Sequence, residues 1–246
     1  MSVPLYLRSV FITNTLAVKN LWGGVQWFLT SLFFVEILFW VCKKIGYKFT
    51  SVLIMTFSGF GFVYSRIVDF RLPLAFDTAF VMLLFYGIGY VLKEKRLLEK
   101  IRELNFGIHS GLLVVSIILT YLTWWLNGNT NVRELQFGNP ILYVFGATVG
   151  SVGVILGAWL AEKIISKSKN WHNNVLYVGK NTIVILYVHR LYIGLINVFI
   201  FSNINLTTRE KYLASLILVL FFFALIAYPV CILINRYFPI LIGRKK

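Results

Sequence analysis

The sequence predicts an all-α, polytopic transmembrane helical bundle of about seven spans. Of the 246 residues, 59% are hydrophobic, and the apolar residues form seven long stretches joined by short loops that carry almost all of the charge. A helix of roughly 20 residues crosses a hydrocarbon core about 30 Å thick. Only helices and closed barrels satisfy the backbone in lipid, and runs this long lack the alternation of a barrel strand. The predicted spans lie near Trp22–Cys42, Phe49–Ser65 (the weakest), Leu72–Leu92, Asn105–Leu126, Pro140–Ala161, Asn181–Phe201 and Tyr212–Ile234.

The charge of the loops predicts the orientation. The chain has 24 basic and nine acidic residues, a formal net charge of +15. Sixteen basic residues fall in one alternating set of loops and seven in the other, while Arg190 lies within a span. By the positive-inside rule the first set is cytoplasmic, so the C-terminus is inside and the N-terminus outside. Because the basic residues form no single patch, we expect no nucleic-acid partner.

We expect residues 1–246 to form one transmembrane domain. Seven spans use more than half of the chain and leave no room for a soluble domain of ordinary size. Cys42 and Cys231 lie in or at the edge of apolar stretches, so we expect packing residues, without a disulfide framework or a thiolate metal site. The sequence has no glycine-rich nucleotide loop, no HExxH motif and no cluster with metal-ligand spacing, so no metal is predicted.

Three segments between or within the spans carry local predictions. Lys93–Leu104 has its apolar residues on one helical side, which is typical of an amphipathic helix at the membrane surface, although a solvated helix extension is the plainer interpretation. Asn127–Asn139 is predicted to be a polar outer loop, and the segment around His172 a cytoplasmic loop. The fifth span has small-xxx-small spacings that let helices approach closely, at Gly146, Gly150, Gly153 and Gly157.

A polar stripe is predicted in the sixth span. His189 and Arg190 fall near the middle of this span, where charge is costly, so they need a reason. Interhelical hydrogen bonding is one interpretation. The other is functional, because a neutral imidazole can act as a general base and an arginine can hold a phosphate or carboxylate. The polar residues on or beside the same helical face are Asn181, Thr182, Tyr192 and Asn197.

Further ionisable residues lie at the outer surface of the second and third spans. Arg66 and Asp69 are three residues apart and would pair if they share one helical face. Asp77 lies one and a half turns into the third span and is expected to pair with Arg66 or Arg71. An ordinary interfacial loop is the plainer interpretation, with a structural role favoured for Asp77.

Other ionisable residues lie deeper or towards the cytoplasmic side. Glu36 is deep in the first span, where an unpaired carboxylate would be protonated or would seek Arg190. His109 begins the fourth span near the cytoplasmic face, and Lys180 precedes the sixth. For Glu36 a structural partnership is the favoured interpretation, and His109 is most simply an interfacial residue.

Three segments together resemble the acyltransferase-3 family of integral membrane O-acyltransferases, in particular the sugar O-acetylases of the fucose 4-O-acetylase type. Leu21–Leu32 (LWGGVQWFLTSL) resembles the tryptophan-phenylalanine-leucine helix of that family. Leu72–Lys93 (LPLAFDTAFVMLLFYGIGYVLK) resembles its helix with an aspartate followed by Phe-Tyr-x-x-Gly. Tyr177–His189 (YVGKNTIVILYVH) resembles its late Gly-Lys-Asn-Ser helix with a histidine, with Thr182 in the serine position. The resemblance covers nearly the whole chain.

The resemblance implies a reaction and a location. Such enzymes take an acyl group from cytoplasmic acyl-CoA and pass it to a hydroxyl of a sugar or lipid-linked glycan, often at the outer face. It therefore implies acetyl-CoA as donor substrate with no bound cofactor, a surface-polysaccharide or O-antigen sugar as acceptor, and the lipids of a bacterial inner membrane as surroundings. The implied site residues are His189 and Arg190 as catalytic, Arg66, Arg71 and Asp77 on the acceptor side, and Lys180, Asn181 and His109 on the donor side.

The chain departs from the family at its N-terminal end. Family members have about ten spans and begin with a helix carrying an arginine and a histidine, and nothing before Leu21 resembles that helix. Removing three spans from a bundle with both ends inside leaves the N-terminus outside, which is the topology the charges predict. We therefore expect an N-terminally shortened member, whose activity alone is open.

Two other function classes stay open. A transporter or flippase for a glycan-type substrate would use Glu36, Asp77 and Arg190 to line a path. Transporters often show internal repeats, and none is evident here, which disfavours this class. A non-catalytic remnant or assembly partner is the third class.

Overall fold

A computed structural model describes residues 26–196 and 207–238. Their regular structure is almost entirely helical. The chain divides into two compact units, which in the described part comprise residues 26–164 and residues 165–196 with 207–238. The first unit contains the helices α1 (Gln26–Ile45), α2 (Thr50–Ile67), α3 (Phe76–Glu94), α4 (Leu97–Arg102), α5 (Phe106–Asn127) and α6 (Pro140–Ile165). The second contains α7 (Lys169–Lys180), α8 (Thr182–Ile196), α9 (Thr208–Phe221) and α10 (Ala227–Tyr237).

Each predicted span contains a helix, and three of the described helices are long and apolar enough to cross a membrane. These are Pro73–Glu94, which includes a short 3₁₀ turn before α3, Phe106–Asn127 and Pro140–Ile165. The described part of the protein is therefore almost entirely helical and includes three helices with the length and composition of membrane spans. The count of seven spans and the orientation of the termini stay predictions. Residues 22–25 of the first predicted span and 197–201 of the sixth lie outside the described residues.

Helices α1, α2 and α3 pack around a common apolar core. Val35, Phe39, Ile54 and Leu83 are buried in it, and Cys42 packs among them. Glycines let the helices approach closely, since a Cβ on Gly61 would lie 2.7 Å from the Cβ of Phe80. Next to lipid, such side chains stabilise the unit through van der Waals packing, because hydrocarbon gives no hydrophobic driving force between helices.

The predicted close approach at the glycines of the fifth span is confirmed. A Cβ on Gly146 would lie 2.5 Å from the Oγ1 of Thr123, and one on Gly153 would lie 2.5 Å from the Oγ of Ser116. Those two hydroxyls instead donate to carbonyls of their own helix. Helices α5 and α6 therefore pack through small residues, as membrane helices commonly do.

The outer surfaces of these two helices suit lipid. Only 17% of the most apolar 18-residue segment of each helix is buried. In the remaining candidate span, Pro73–Glu94, the buried share is 44%. Large apolar side chains of α5, among them Ile117, Trp124 and Trp125, are exposed. An apolar surface this extensive is stable next to hydrocarbon and is rare in soluble monomers.

Helices α7, α8 and α10 of the second unit, with the residues that join α9 to α10, share their own core around Val184, Ile185 and Phe222. A stretch of π-helix, Phe222–Ile226, joins α9 to α10. Thr207 caps α9 in a reciprocal capping box, in which its hydroxyl accepts from the N–H of Glu210 and the Glu210 carboxylate accepts from the N–H of Thr207. The N–H and the hydroxyl of Thr207 both donate to the Glu210 carboxylate, and these two bonds lower the pKa of Glu210 because they favour its ionised form.

Two local predictions are corrected. The segment around His172 is not a loop, because residues Lys169–Lys180 form α7. Its apolar residues Trp171, Val175 and Val178 recur at helical spacing, but the lysines and asparagines between them lower its mean hydropathy below that of a span. The amphipathic helix predicted over Lys93–Leu104 is only Leu97–Arg102, since α3 runs on to Glu94 and Arg96 has a left-handed backbone with φ of 50°.

Candidate functional site

The most complete charged network in the described residues joins Arg71 to Asp77 at the start of α3. Nε of Arg71 donates to Oδ2 of Asp77 at 2.6 Å, and Nη2 donates to Oδ1 at 3.1 Å. The side chain of Asp77 is 0% exposed and that of Arg71 15% exposed. Of the two arginines expected as partners of Asp77, Arg71 is therefore the one that pairs. Because the pair is bidentate and buried, removal of either partner would leave an uncompensated charge in an apolar environment.

The backbone around Asp77 is built to receive its charge. The N–H of Leu72 donates to Oδ2 at 3.1 Å, and the N–H of Thr78 donates to Oδ1 at 2.8 Å. Asp77 also lies in the first turn of α3, where the helix dipole favours a negative charge. Leu74 and Ala75, which lie between Leu72 and Asp77 in the chain, have left-handed φ values of 58° and 56°, and this conformation is costly for residues with a Cβ. Such strain persists only where surrounding contacts hold it, and it often marks functional sites.

Arg71 and Arg66 both hold the loop over Asn127–Asn139 in place. Nη1 of Arg71 donates to the carbonyl oxygen of Arg133 at 2.8 Å, and Nη2 of Arg66 donates to that of Gly138 at 2.9 Å. Leu135 and Phe137 of the loop are buried against Val81 of α3. The polar outer loop predicted over Asn127–Asn139 is therefore folded onto α2 and α3.

Two details of the loop show how tightly it is built. Asn131 and Gln136 form an antiparallel bridge, with N–O distances of 2.7 and 2.9 Å. Asn127 donates to the carbonyl of Phe137 and accepts from the N–H of Asn139. Gly138 has φ of 62°, and a Cβ there would lie 2.6 Å from Oδ1 of Asn127. Glycine is therefore required where the loop meets the end of α5.

Arg71 has all of its guanidinium nitrogens engaged within the protein, so its role is structural: it shapes this end of the unit. Arg66 is exposed and can meet a ligand while keeping its bond to the loop. The predicted pairing of Arg66 with Asp69 is wrong. Helix α2 ends at Ile67, so Asp69 lies beyond the helical face that the pairing needed, and it is exposed.

A second polar network lies in the second unit, between α7, α8 and α10. Asn181 is buried, and its Oδ1 accepts from Nδ2 of Asn235 at 2.7 Å. Nδ2 of Asn235 also lies 3.1 Å from the hydroxyl of Tyr177, while Nδ2 of Asn181 donates to the carbonyl of Tyr177. Asn181 is thus a helix-junction residue. The sequence analysis did not identify Tyr177 or Asn235 as members of a polar network. The only signal in the sequence was the position of Asn235, a polar residue near the end of an apolar run.

The predicted stripe on α8 is only partly described. His189 and Arg190 lie in α8, but their side chains lie outside the described residues, as does Asn197 entirely. The hydroxyl of Tyr192 donates to the carbonyl of Leu218 at 3.1 Å, and Thr182 is exposed. The interhelical hydrogen bond of Tyr192 fits the structural interpretation of the stripe, and the roles of His189 and Arg190 stay predictions.

Of the donor-side residues, His109 is the most constrained. It is 1% exposed, its ring meets Trp159 edge to face, and its Nδ1 lies 3.2 Å from the carbonyl oxygen of Leu104. Because a carbonyl only accepts, this bond needs the proton on Nδ1 and leaves Nε2 as an acceptor when the ring is neutral. Nε2 has no hydrogen-bond partner among the described residues. Lys180 is exposed at the end of α7.

Glu36 does not sit in a buried pair. It is exposed on α1 and forms no ion pair with the other side chains that the structure describes. Its expected partnership with Arg190 stays untested, because that side chain is not described. Within the described ranges, no group of three or more His, Cys, Asp and Glu side chains could hold a metal ion.

The structure therefore brings together Arg71 and Asp77 among the predicted site residues, with Arg66 bound to the same loop. The sequence was compared with protein-family models, curated proteins and solved structures. A family model described as an acyltransferase domain, that of the acyltransferase-3 family, matches residues 2–236. Neither a curated protein nor a solved structure matches the chain. Because the family match covers nearly the whole chain and the fold is that of an apolar helical protein, the protein belongs to the acyltransferase-3 family of membrane acyltransferases.

Proposed function

We propose that this protein is an O-acetyltransferase of the bacterial inner membrane, which moves an acetyl group from acetyl-CoA to a hydroxyl of a surface polysaccharide or lipid-linked sugar. The observation that carries the proposal is the family match over residues 2–236. The fucose 4-O-acetylase type is the subtype we favour, on the three sequence segments that resemble it. The biosynthesis of a surface glycan such as an O-antigen is the process we expect it to serve.

The distribution of charge supports a donor on the cytoplasmic side. Sixteen of the 24 basic residues lie on the side that the positive-inside rule places in the cytoplasm. CoA carries phosphates, which basic side chains bind through charge-assisted hydrogen bonds. Lys180 is exposed on that side in the proposed topology, and it provides such a cation next to the helix that carries His189.

The outer end of the first unit supports an acceptor site. A sugar offers hydroxyl groups, which hydrogen-bond to arginine, amide and carbonyl groups. Arg66 is exposed beside the folded loop over Asn127–Asn139, and the buried pair of Arg71 with Asp77 fixes that loop. We propose that this pair positions the acceptor surface and that Arg66 contacts the acceptor.

The proposed chemistry needs one base and one leaving thiol. An imidazole at His189 takes the proton of the acceptor hydroxyl as its oxygen attacks the thioester carbonyl. The new C–O bond forms, the C–S bond breaks, and the proton passes to the CoA thiolate. Arg190 would stabilise the oxyanion or hold a CoA phosphate. A positioned general base contributes about 10²–10⁴-fold to the rate.

The test is transfer of radiolabelled acetyl from acetyl-CoA to glycan in membranes that contain the protein. We expect His189→Gln to lower transfer by about 10²–10⁴-fold, and His172→Gln, a change in another histidine of the chain, to leave it unchanged. The enzyme proposal fails if the wild type transfers no acetyl. The assignment of His189 alone fails if its variant matches that of His172.

A further inference from the structure

A cavity lies between α1, α2 and α3 at the end of α3 opposite Asp77. Its volume is about 350 Å³, at the lower end of the range of roughly 300–1,000 Å³ for ligand pockets. Its walls are mostly apolar, from Ile54 and Met55 of α2 and Leu84, Ile88 and Val91 of α3. The proposed acetyl-transfer reaction uses none of these residues.

The polar end of this cavity is a cation held in place. Nζ of Lys43, a lining residue, donates to the hydroxyl of Tyr90 at 3.0 Å and lies 4.5 Å from the centre of that ring. The Tyr90 hydroxyl in turn lies 3.5 Å from Oε1 of Glu94. Ser51 of the first turn of α2 adds a hydroxyl to the lining. The ammonium group is therefore fixed at one end of an apolar space.

The surroundings of this end are strongly basic. Lys44 follows Lys43 at the end of α1, Lys48 lies in the next turn, and Lys93 and Lys95 lie at the end of α3. Against these five lysines, Glu94 is the carboxylate of the cavity lining. The charge at the cavity end thus complements an anion.

The apolar part of the cavity opens sideways. Met55 is 67% exposed and Val91 37% exposed, so the groove between α2 and α3 continues to the surface of the unit. Gly87 lets α2 and α3 approach closely beside it, because a Cβ there would lie 3.0 Å from Cδ1 of Ile54. A ligand that enters from lipid can therefore lay an acyl chain against these walls. A water-soluble anion gains nothing from them.

We propose that this cavity binds one anionic phospholipid, with the phosphate at Lys43 and an acyl chain between α2 and α3. Basic pockets between membrane helices are suited to anionic headgroups, and each lysine near the surface adds attraction. This site goes beyond the proposed acetyl transfer and does not depend on it.

The test is native mass spectrometry of the purified full chain, offered equimolar phosphatidylglycerol and phosphatidylcholine with the same dioleoyl chains. We expect one phosphatidylglycerol to be retained in preference. Lys43→Gln should lower that preference about fivefold, the effect of one headgroup charge. Lys100→Gln, an exposed lysine on α4 outside the cavity, should leave it unchanged.

Two further arms separate the lipid from its parts. Ile88→Phe, which fills the apolar space, should lower retention of the lipid while the basic end stays intact. Inorganic phosphate at millimolar concentration should not displace phosphatidylglycerol. Equal retention of the two lipids by the wild type, displacement by phosphate, or equal effects of the Lys43 and Lys100 variants would each overturn the proposal. If Lys43→Gln does not fold, Lys43→Arg takes its place. This variant keeps the charge and should keep the preference for phosphatidylglycerol, and the lipid and phosphate measurements on the wild type then decide whether the proposal holds.

Discussion

The two units of the protein contain two buried polar networks of different kinds. Arg71 and Asp77 in the first unit form a charged pair, with the carboxylate accepting from two backbone N–H groups as well. Asn181 and Asn235 in the second unit form a neutral network with Tyr177. Both lie at a helix start and both tie together segments distant in sequence. They differ in what remains when one partner is lost, which is a buried charge in the first case and a buried dipole in the second.

The comparison teaches which network tolerates substitution. An uncompensated charge in an apolar medium costs far more than an unsatisfied amide. The charged network can therefore hold a strained backbone, such as the left-handed Leu74 and Ala75, and a loop anchored through Arg133. The neutral network holds a helix junction without positive φ values at the residues that form it. Each prediction below measures what happens when polar partners of one network are removed.

Asp77→Ala should have the largest effect. It leaves the guanidinium of Arg71, 15% exposed, without its carboxylate, and breaking such a pair costs about 3–5 kcal/mol. The free energy of unfolding, measured by SDS titration in mixed micelles, checks it. Asp69→Ala removes an exposed carboxylate nearby and should change that free energy by less than about 0.5 kcal/mol. A comparable loss in both variants would contradict the special status of the buried pair.

Replacement of both partners should be less harmful than removal of one. Arg71→Met with Asp77→Leu removes both charges and keeps apolar volume, and buried pairs replaced in this way are often neutral in cost. Recovery should be incomplete, because the N–H groups of Leu72 and Thr78 and the carbonyl of Arg133 lose their partner. In the same titration we expect the double variant to lose less than half of what Asp77→Ala loses. A double variant less stable than Asp77→Ala would show that the hydrogen bonds outweigh the charges.

Asn235→Ala should have an intermediate effect. It leaves Oδ1 of buried Asn181 without its donor at 2.7 Å, and a buried group left unsatisfied costs about 1–3 kcal/mol. The matched control is Asn174→Ala, on the exposed surface of α7, which should be near neutral. If Asn235→Ala cost as much as Asp77→Ala, the distinction between charge and dipole would not hold here.

The span pattern of the sequence predicted most of the fold, because apolar runs of membrane length identify helices directly. Helix α5 begins at Phe106, one residue after the start predicted at Asn105, whose Oδ1 caps it by accepting from the N–H of Ile108. The glycines of α6 were likewise identified by spacing alone. Helix α7 was missed, because its short amphipathic pattern is masked by lysines and asparagines between its apolar residues.

The candidate site was less predictable because it depends on contacts distant in the chain. Asp77 and Arg71 are six residues apart, so the sequence limited the partner of Asp77 to two arginines. The carbonyl of Arg133 is 62 residues from Arg71, and Asn181 is 54 residues from Asn235. No periodicity links such positions, since only packing of the helices brings them together. The pairing of Arg66 with Asp69 failed for the opposite reason, because α2 ended before the helical face could form.

Disruption of the exposed capping box at the start of α9 should have the smallest effect on the free energy of unfolding among these predictions. Glu210 accepts from the N–H and hydroxyl of Thr207, which lowers its pKa, yet its carboxylate is exposed to solvent. A lowered pKa in the folded state contributes stability that is present above the ordinary pKa of glutamate and is lost as the pH falls through the lowered value. Thr207→Ala keeps the backbone N–H that donates to Glu210 and removes only the hydroxyl, so the pKa of Glu210 should rise part of the way towards its ordinary value, as measured by NMR titration of carbon-13-labelled glutamate. Because solvent screens this pair, the pH dependence of stability should change little, while loss of the N-cap oxygen should cost about 0.5–2 kcal/mol at any pH. A pKa of Glu210 unmoved by the substitution would show that the hydroxyl does not bond to the carboxylate in solution, and a loss of stability larger than that of Asn235→Ala would place this exposed pair with the buried networks.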